Sequence, residues 1–457
     1  MIYVVVLCLY LGLLLVIGLL WHKRTKGDED YYLGGRRIGV WVTALSYVAA
    51  YFSSVVIVGG AGYGYKYGMA TIWIGAFNVL FGGTLCWILL GERIRELTHR
   101  YNSITLPDFL GKLYNSEMAK IFSAIVIVLF MIVYNVSILK GMGHSFEVLM
   151  DMPYWVGVIL SGLIILIYVV LGGYFAVVWT GFVQAIIMMV ALVMITGMAL
   201  RYTGGVTIVH EKLRLINEGL VTTPGIWGAK GLFSFALVVS LGVWGMPQLI
   251  VRFYSIKRKE LIRVGAILAT LGCSMAVLPY FNGTIARILF PHLKSPDLAI
   301  PSLVKLVLSP FGEAIFLVGV IAAGMSTFSA ILIILSSSIV KDLVRYKERG
   351  LLHGRLWSVM IGLISLGIAL KPPALVLTLC AFAWAVVASI TLFPLIFGIY
   401  MREPYRIRVI YSMLGGFVTS LVWLILRNPY GIHGFIPGVV VSLLVIMIQL
   451  TYRKCVA

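Results

Sequence analysis

The chain has 457 residues, 61% of them in the apolar and aromatic set AVILMFWYC and only 12% Asp, Glu, Lys or Arg, about half the charge share of a globular domain. So little polar surface cannot cover a water-soluble fold, and so much apolar content excludes intrinsic disorder. The formal net charge of +19 sits in short Lys/Arg clusters between apolar runs, where it reads as a topology signal and not as a nucleic-acid surface. The five cysteines form no C-x-x-C pair and no His/Cys cluster at metal spacing, so neither a disulfide framework nor zinc is expected.

Apolar windows between charged or Pro/Gly-rich breaks predict an all-α polytopic membrane protein of thirteen helices. These are α1 to α13, at 2–21, 39–64, 70–91, 120–146, 154–171, 175–200, 231–250, 264–286, 311–340, 355–370, 374–400, 408–426 and 433–452. The first lacks a Lys/Arg-led start and a small-residue cleavage site and runs into His22-Lys23-Arg24, so it is expected to stay as a membrane helix. With the amino terminus outside, the loops after odd-numbered helices and the tail hold 25 of the 36 Lys and Arg residues, and the other side holds 11. The larger share includes Lys23, Arg24, Lys26, Arg36, Arg37, the run Lys257-Arg258-Lys259, and Lys341, Arg345, Lys347 and Arg349. Cytoplasmic loops carry such an excess, which predicts a plasma-membrane protein with its amino terminus outside and its carboxyl terminus in the cytoplasm. All 17 acidic residues lie in loops or near helix ends, and so does every histidine. Proton-driven transporters usually carry a titratable relay within the membrane, so an ion driving this chain must be bound by neutral oxygens.

Within α2, Ala49-Ala50-Tyr51-Phe52-Ser53-Ser54 precedes Gly59-Gly60-Ala61-Gly62-Tyr63-Gly64. Glycine costs about 1 kcal/mol relative to alanine in a helix interior, and freed carbonyls are tolerated at membrane depth only where they line a cavity or bind something. The stretch predicts either a broken helix or close helix packing through small residues. No strand precedes the glycines, which disfavours a dinucleotide loop. In α7, Gly242-Val243-Trp244-Gly245-Met246-Pro247 predicts a second break, because proline removes a backbone donor and the glycines loosen the preceding turn.

Interrupted helices at corresponding positions of two halves point to a secondary-transporter site. Since α7 follows α2 by an odd number of spans, the second half runs inverted through the membrane. The expected organisation is an N-terminal helix and cytoplasmic loop (1–37), a first repeat of α2 to α6 (38–202), an inverted second repeat of α7 to α11 (203–402), and two accessory helices with a short tail (403–457). In α9, Ala322-Ala323-Gly324-Met325-Ser326-Thr327-Phe328-Ser329 leads to Ser336-Ser337-Ser338. A lone serine in a span usually bonds to a carbonyl one turn back. Ser326 and Thr327 are adjacent, however, and take different faces, so beside a broken α2 they offer hard oxygens to a sodium ion.

These residues fall into an ordered set. Tyr32-Leu33-Gly34-Gly35-Arg36 stands before α2, Val42-Thr43-Ala44-Leu45-Ser46 at its start, Thr105-Leu106-Pro107-Asp108 after α3, and Gly172-Gly173-Tyr174 with Trp179-Thr180 at α6. Gly245-Met246-Pro247-Gln248 with Val251-Arg252-Phe253 follows, then the Ala322–Thr327 run with Lys341-Asp342-Leu343. Over nearly its whole length the chain resembles the sodium/solute symporters, the family of the proline, pantothenate, sugar and sialic-acid carriers. The resemblance implies the LeuT-type inverted-repeat fold and a sodium ion, with no organic cofactor, held by the backbone carbonyls of Ala49, Phe52 and Ala323 and the hydroxyls of Ser326 and Thr327. It departs from the family at two positions, with Tyr51 where the proline carriers have Asp and Gly181 where several members have Asp after the Trp-Thr pair. Both departures put more than one coupled sodium in doubt.

The resemblance also bears on the cargo. The proline branch places aromatic residues at the positions of Val239 and Val243, which disfavours proline. The pantothenate branch is similar in Ala61-Gly62, Tyr65-Lys66-Tyr67-Gly68, Pro296-Asp297-Leu298 with Ile300-Pro301, Lys371-Pro372-Pro373, and in a Tyr at position 51. The expected function is sodium-coupled symport of pantothenate or a related small carboxylate by alternating access across the lipid bilayer. An amino acid or monocarboxylate is the alternative cargo. The solute is expected between Tyr51 and Ser54 of α2 and Val243, Trp244 and Pro247 of α7, its charge met by half-helix amino ends. A transporter-like membrane sensor would carry a signalling domain after the last helix, where only 451–457 follow. An enzyme would need a carboxylate pair, H-E-x-x-H or G-x-S-x-G motif that the spans lack.

Overall fold

Long apolar stretches fold as helices in hydrocarbon because each backbone polar group then finds its partner within its own segment. The computed structural model describes residues 2–22, 27–346 and 350–456; Lys23, Arg24, Lys26, Lys347 and Arg349 of the basic loops lie outside them. Among the described residues ten helices are long and apolar enough to cross a bilayer, and the bent pair Val40–Phe52 and Val55–Tyr67, the two halves of α2, adds an eleventh. Two more of the thirteen expected, α5 at Tyr154–Ile167 and α12 at Val409–Ile425, are shorter apolar helices. The remaining bounds are Ile2–His22 for α1, Met69–Arg100 for α3, Glu117–Leu149 for α4, Gly173–Thr203 for α6, Gly225–Ser255 for α7 and Leu261–Leu289 for α8. In the last third they are Pro310–Leu343 for α9, Gly350–Ala369 for α10, Val376–Tyr400 for α11 and Phe435–Val456 for α13.

Differences from the sequence reading have physical causes. α5 and α6 follow each other with only a kink at Gly173 between them, whose φ of 61° and ψ of −166° suit only glycine. α3 continues to Arg100 because Glu92–Arg100 is amphipathic and packs Ile94, Arg95 and Thr98 inward, the Arg95 guanidinium donating to Ile256 O at 2.6 Å. Three short helices, Leu106–Tyr114, Val206–Ile216 and Ala299–Val307, bury one face each and are too short to appear in a search for spans.

α9 forms the axis of the bundle, its whole apolar window buried against 17% for α1. α1 lies outside on α6, where Trp21 stacks on Phe175 at 5.0 Å and Gln184 donates to the Tyr10 hydroxyl at 2.9 Å. At one end of the bundle, the Arg36 end, a parallel bridge joins Ile38 before α2 to Ile256 after α7. Ile38 N donates to Ser255 O at 3.0 Å, and Lys257 N to Ile38 O at 2.9 Å. Arg36 fastens the same corner, pairing with Glu29 at 2.7 Å and donating to the carbonyls of Ser103 at 2.9 Å and Thr98 at 3.2 Å. At the opposite, Asp297 end, the loop between α8 and α9 folds over α2, α4 and α11.

The glycines of α2 do not mark its break. Gly60–Tyr67 is α-helical and lies against α8 so closely that a Cβ on Gly64 would stand 2.0 Å from the Tyr280 carbonyl oxygen, and one on Gly283 would stand 2.0 Å from that of Ala61. Small-residue packing thus accounts for the Gly-rich half, and the break falls on the serines before it. Gly64→Val is expected to lower the melting temperature of the purified protein or to stop its accumulation in the membrane. Gly197→Ala, at a position with nothing within 4 Å of the added carbon, should change neither. A Gly64→Val chain as stable as wild type would contradict this packing.

Candidate ion and solute site

α2 stops at Phe52, and Ser53, at φ 3° and ψ 166°, turns the chain so that the two halves meet at 47°. Serine makes the stop possible because it gives the backbone other partners. Ser53 Oγ accepts from Val55 N at 3.2 Å, and its carbonyl accepts from Val56 N at 3.1 Å, starting a π-helical turn over Val55–Gly59. The last carbonyls of a helix have no partner within it. In α2 two of them are met by α9. Ser326 Oγ donates to Ala49 O at 2.8 Å and lies 2.8 Å from Ala323 O, while Thr327 Oγ1 donates to Ala50 O at 3.0 Å and lies 3.3 Å from Ala323 O.

The structure therefore brings Ala49, Ala323, Ser326 and Thr327 together. It adds the Ala50 carbonyl, which the sequence did not single out, and leaves Phe52 as the last helical residue, its ring edge-on to Tyr51 at 6.2 Å. The local serine bonds weighed against ion binding are present too, since both hydroxyls share Ala323 O. All five oxygens are uncharged and buried. Among the described residues no group of three or more His, Cys, Asp or Glu is placed to hold a metal ion. Such a set of hard oxygens fits a sodium ion and does not fit a soft transition metal.

α7 breaks as expected: a 3-10 turn over Leu241–Gly245 ends in an extended Met246, and a new helix starts at Pro247. Thr391 of α11 holds the break, donating to Gly245 O at 3.1 Å. Around the two breaks Tyr51 is buried with a hydroxyl that makes no hydrogen bond, and a Cβ on Gly82 of α3 would sit 2.5 Å from that oxygen. Ser54 donates to Ile138 O of α4 at 2.7 Å, and Trp244 Nε1 to Phe81 O of α3 at 2.9 Å. Val243 is buried at the α7 turn. Pro247 lies elsewhere, lining a cleft of about 10 Å³ at the Arg36 end with Tyr32, Thr105 and Tyr254, too small for one water.

The Asp297 end holds a larger cavity of about 340 Å³ lined by Tyr63, Lys66, Trp227, Phe235, Thr378 and His433. Its floor is shut by Tyr63, whose ring stacks on Phe235 at 4.8 Å and whose hydroxyl lies 2.9 Å from Thr378 Oγ1. Burial lowers the His433 pKa to about 4, so its imidazole is neutral at physiological pH.

Three charged groups escaped the sequence reading, which searched the spans only for Asp, Glu and His. Lys140 of α4 is buried and pairs with Asp297 at 2.9 Å. Arg252 of α7, 1% exposed, lies over the Tyr174 ring at 5.2 Å with Nε and Nη1 lacking hydrogen-bond partners. A search for lone cations inside apolar runs finds Lys140 at once, because a charge in a span is costly unless it has a task or a partner.

A family model, that of the sodium:solute symporter family, matches residues 31–421. The chain belongs to this family. Sodium/proline symporters of Staphylococcus aureus strains JH9 and JH1 are each 31% identical to it over 474 aligned positions, covering 96% of this chain and 91% of theirs. A Na+-coupled sialic acid symporter, solved substrate-bound and outward-open, matches with a TM-score of 0.82 at 18% identity, over 98% of this chain and 96% of its own. Mhp1, a nucleobase-cation-symport-1 family transporter solved closed, matches at 0.64 and 13% identity, over 94% of this chain and 96% of its own. The fold is the LeuT type expected from the sequence. Membership makes the chain a transporter and not an enzyme, with sodium as coupling ion and a small organic solute as cargo.

Removing one hydroxyl from the α2–α9 contact tests the ion site. Thr327→Ala is expected to raise the sodium concentration for half-maximal uptake about five- to thirty-fold, the equivalent of ~1–2 kcal/mol for one oxygen partner. Thr327→Ser should keep the wild-type value. Ser365→Ala, whose hydroxyl bonds only to Ile361 O one turn back at 2.9 Å, is the control. Unchanged sodium dependence in Thr327→Ala would remove this residue from the site.

Proposed function

We propose that the chain symports one sodium ion with a small carboxylate, pantothenate or a close relative, across the plasma membrane, the Arg36 end facing the cytoplasm. The observation that supports this most directly is the meeting of Ala49, Ala50, Ala323, Ser326 and Thr327 oxygens at a break in α2. In the described arrangement the two hydroxyl protons occupy the space between acceptors. A sodium ion entering that space turns both O–H bonds away from it, meets the hydroxyl lone pairs and the three carbonyls, and fixes the break against α9.

Because Ser53 and Ser54 of the same break touch α4, through Tyr134 at 3.3 Å and Ile138 at 2.7 Å, ordering the break also sets the wall facing Tyr51 and Trp244. Sodium and solute then favour the same state, and each tightens the other by the same factor. The units that rock are the two halves proposed from the sequence, 38–202 and 203–402. Opening toward the cytoplasm parts the Ile38–Ile256 bridge and widens the cleft at Pro247. Opening toward the outside parts Tyr63 from Phe235.

The relatives named as proline symporters favour a second reading, L-proline as cargo. Charge separates the two. One sodium with a carboxylate anion moves no net charge, whereas one sodium with a zwitterion moves one. Purified protein in liposomes under a tenfold inward sodium gradient, ~1.4 kcal/mol per ion, is expected to accumulate pantothenate about tenfold. Imposing a potassium diffusion potential should leave that level unchanged. Accumulation of L-proline that rises with inside-negative potential selects the second reading. Uptake driven by a proton gradient, or blind to sodium, contradicts both.

A further inference from the structure

We propose that Lys140 is the group that holds the solute's carboxylate, and that Asp297 is the internal carboxylate occupying it while the outer pathway is shut. The inference rests on the proposed symport of a carboxylate. It starts from a shortage. Several backbone donors expected to meet the anion are already used: at the α2 break Val55 N and Val56 N go to Ser53, and at the α7 break Leu249 N and Ile250 N both go to Met246 O at 3.1 and 3.0 Å, while the Gln248 amide beside them is unpartnered but carries no charge. Ser54 is committed to Ile138 O and Trp244 to Phe81 O. The Tyr51 hydroxyl is free, but a phenol carries no charge to set against a carboxylate.

Lys140 supplies one at the level of the break. Its neighbours in α4 touch that break directly: Ile138 O takes the Ser54 hydroxyl, and a Cβ on Gly141 would lie 3.1 Å from the Ser54 side chain. The ammonium ends a flexible four-carbon stem, so it reaches different partners without backbone movement. Its present partners all belong to the Asp297 end. They are Asp297 Oδ2 at 2.9 Å, in the loop between α8 and α9, and Ala374 O at 3.0 Å, just before α11. The same Oδ2 accepts from Val376 N at 3.1 Å at the start of α11, and the other carboxylate oxygen lies against Gly62 of α2. Moving these segments apart to open the outer end takes away the acidic partner that Lys140 has among the described residues and leaves an ammonium exposed to the pathway. An isolated buried charge is strongly disfavoured, and an entering carboxylate replaces what Asp297 supplied. One carboxylate is exchanged for another, so the charge balance around Lys140 is the same before and after loading.

The test compares each acid with its carboxylate-free form, pantothenate with the uncharged pantothenyl alcohol and zwitterionic L-proline with cationic L-prolinamide, as competitors of uptake. Wild type is expected to prefer the acid at least tenfold. Lys140→Gln should abolish that preference through KM while sodium still raises the melting temperature of the solute-free protein, and Lys140→Arg should restore it. Asp297→Asn should keep uptake and lower KM, since the internal competitor is gone. The reversed pair Lys140→Asp with Asp297→Lys should bind sodium but not take up the acid. An acid preference retained in Lys140→Gln, or uptake restored by the reversed pair, overturns the assignment and leaves the pair as a structural latch. Wild-type uptake confined to uncharged solutes overturns the carboxylate reading together with it.

Discussion

Hydrocarbon has no hydrogen bonds to give, so the carbonyls of Ala49 and Ala50, released where α2 stops at Phe52, must find partners inside the protein. They find them in Ser326 and Thr327 of α9, nearly three hundred residues away in the chain. The break and the serine-threonine pair need each other. Continuous α2 would consume the carbonyls in its own ladder, and α9 without its hydroxyls would leave them unpaired at a depth where water cannot reach. The contact is also placed where movement matters. α9 is buried throughout and serves as the axis, whereas the second half of α2, Val55–Tyr67, packs on α8 and on the loop at the Asp297 end. Whatever strengthens the contact fixes the angle between the halves of α2, and with it the position of the half that meets that loop.

The two ends are shut by different chemistry. The Arg36 end is held by main-chain bonds between Ile38 and the end of α7 and by Arg36, which spans the starts and ends of three helices. The Asp297 end is held by stacked rings, one hydroxyl pair and the Lys140–Asp297 ion pair. Ring stacking and single hydrogen bonds are individually weak, of order 1 kcal/mol each, so the buried ion pair is the strongest of the contacts at this end. Between the ends the breaks in α2 and α7 face α3 and α4, which present the Gly82 surface to Tyr51 and the Ile138 carbonyl to Ser54.

Composition and period carried most of the fold. Spans are legible because an apolar run of the right length has only one solution in a bilayer, and the α7 break is legible because Pro247 cannot continue a helix. The position of the α2 break was less so. Glycine-rich sequence serves close packing as well as unwinding, and only the neighbour decides. The backbone of Tyr280 against Gly64 settles it in favour of packing, and the stop falls on Ser53, which offers an alternative set of hydrogen bonds. The α2–α9 contact of Ser326 and Thr327 could be anticipated because hydroxyls are side chains, whereas the Ala49 and Ala323 carbonyls came from the family resemblance and the Ala50 carbonyl from neither. Lys140 was missed because the spans were searched for Asp, Glu and His alone, and Asp297, 157 positions away, was named only as part of a loop motif.

Crystals of the protein soaked in thallium(I), which enters sodium sites and scatters anomalously, give the most direct check. The account predicts one anomalous peak between the Ala49 and Ala323 carbonyls and the hydroxyls of Ser326 and Thr327, reduced by competing sodium and weakened in Thr327→Ala. A peak at another position, with these four residues still hydrogen-bonded to one another, would contradict it.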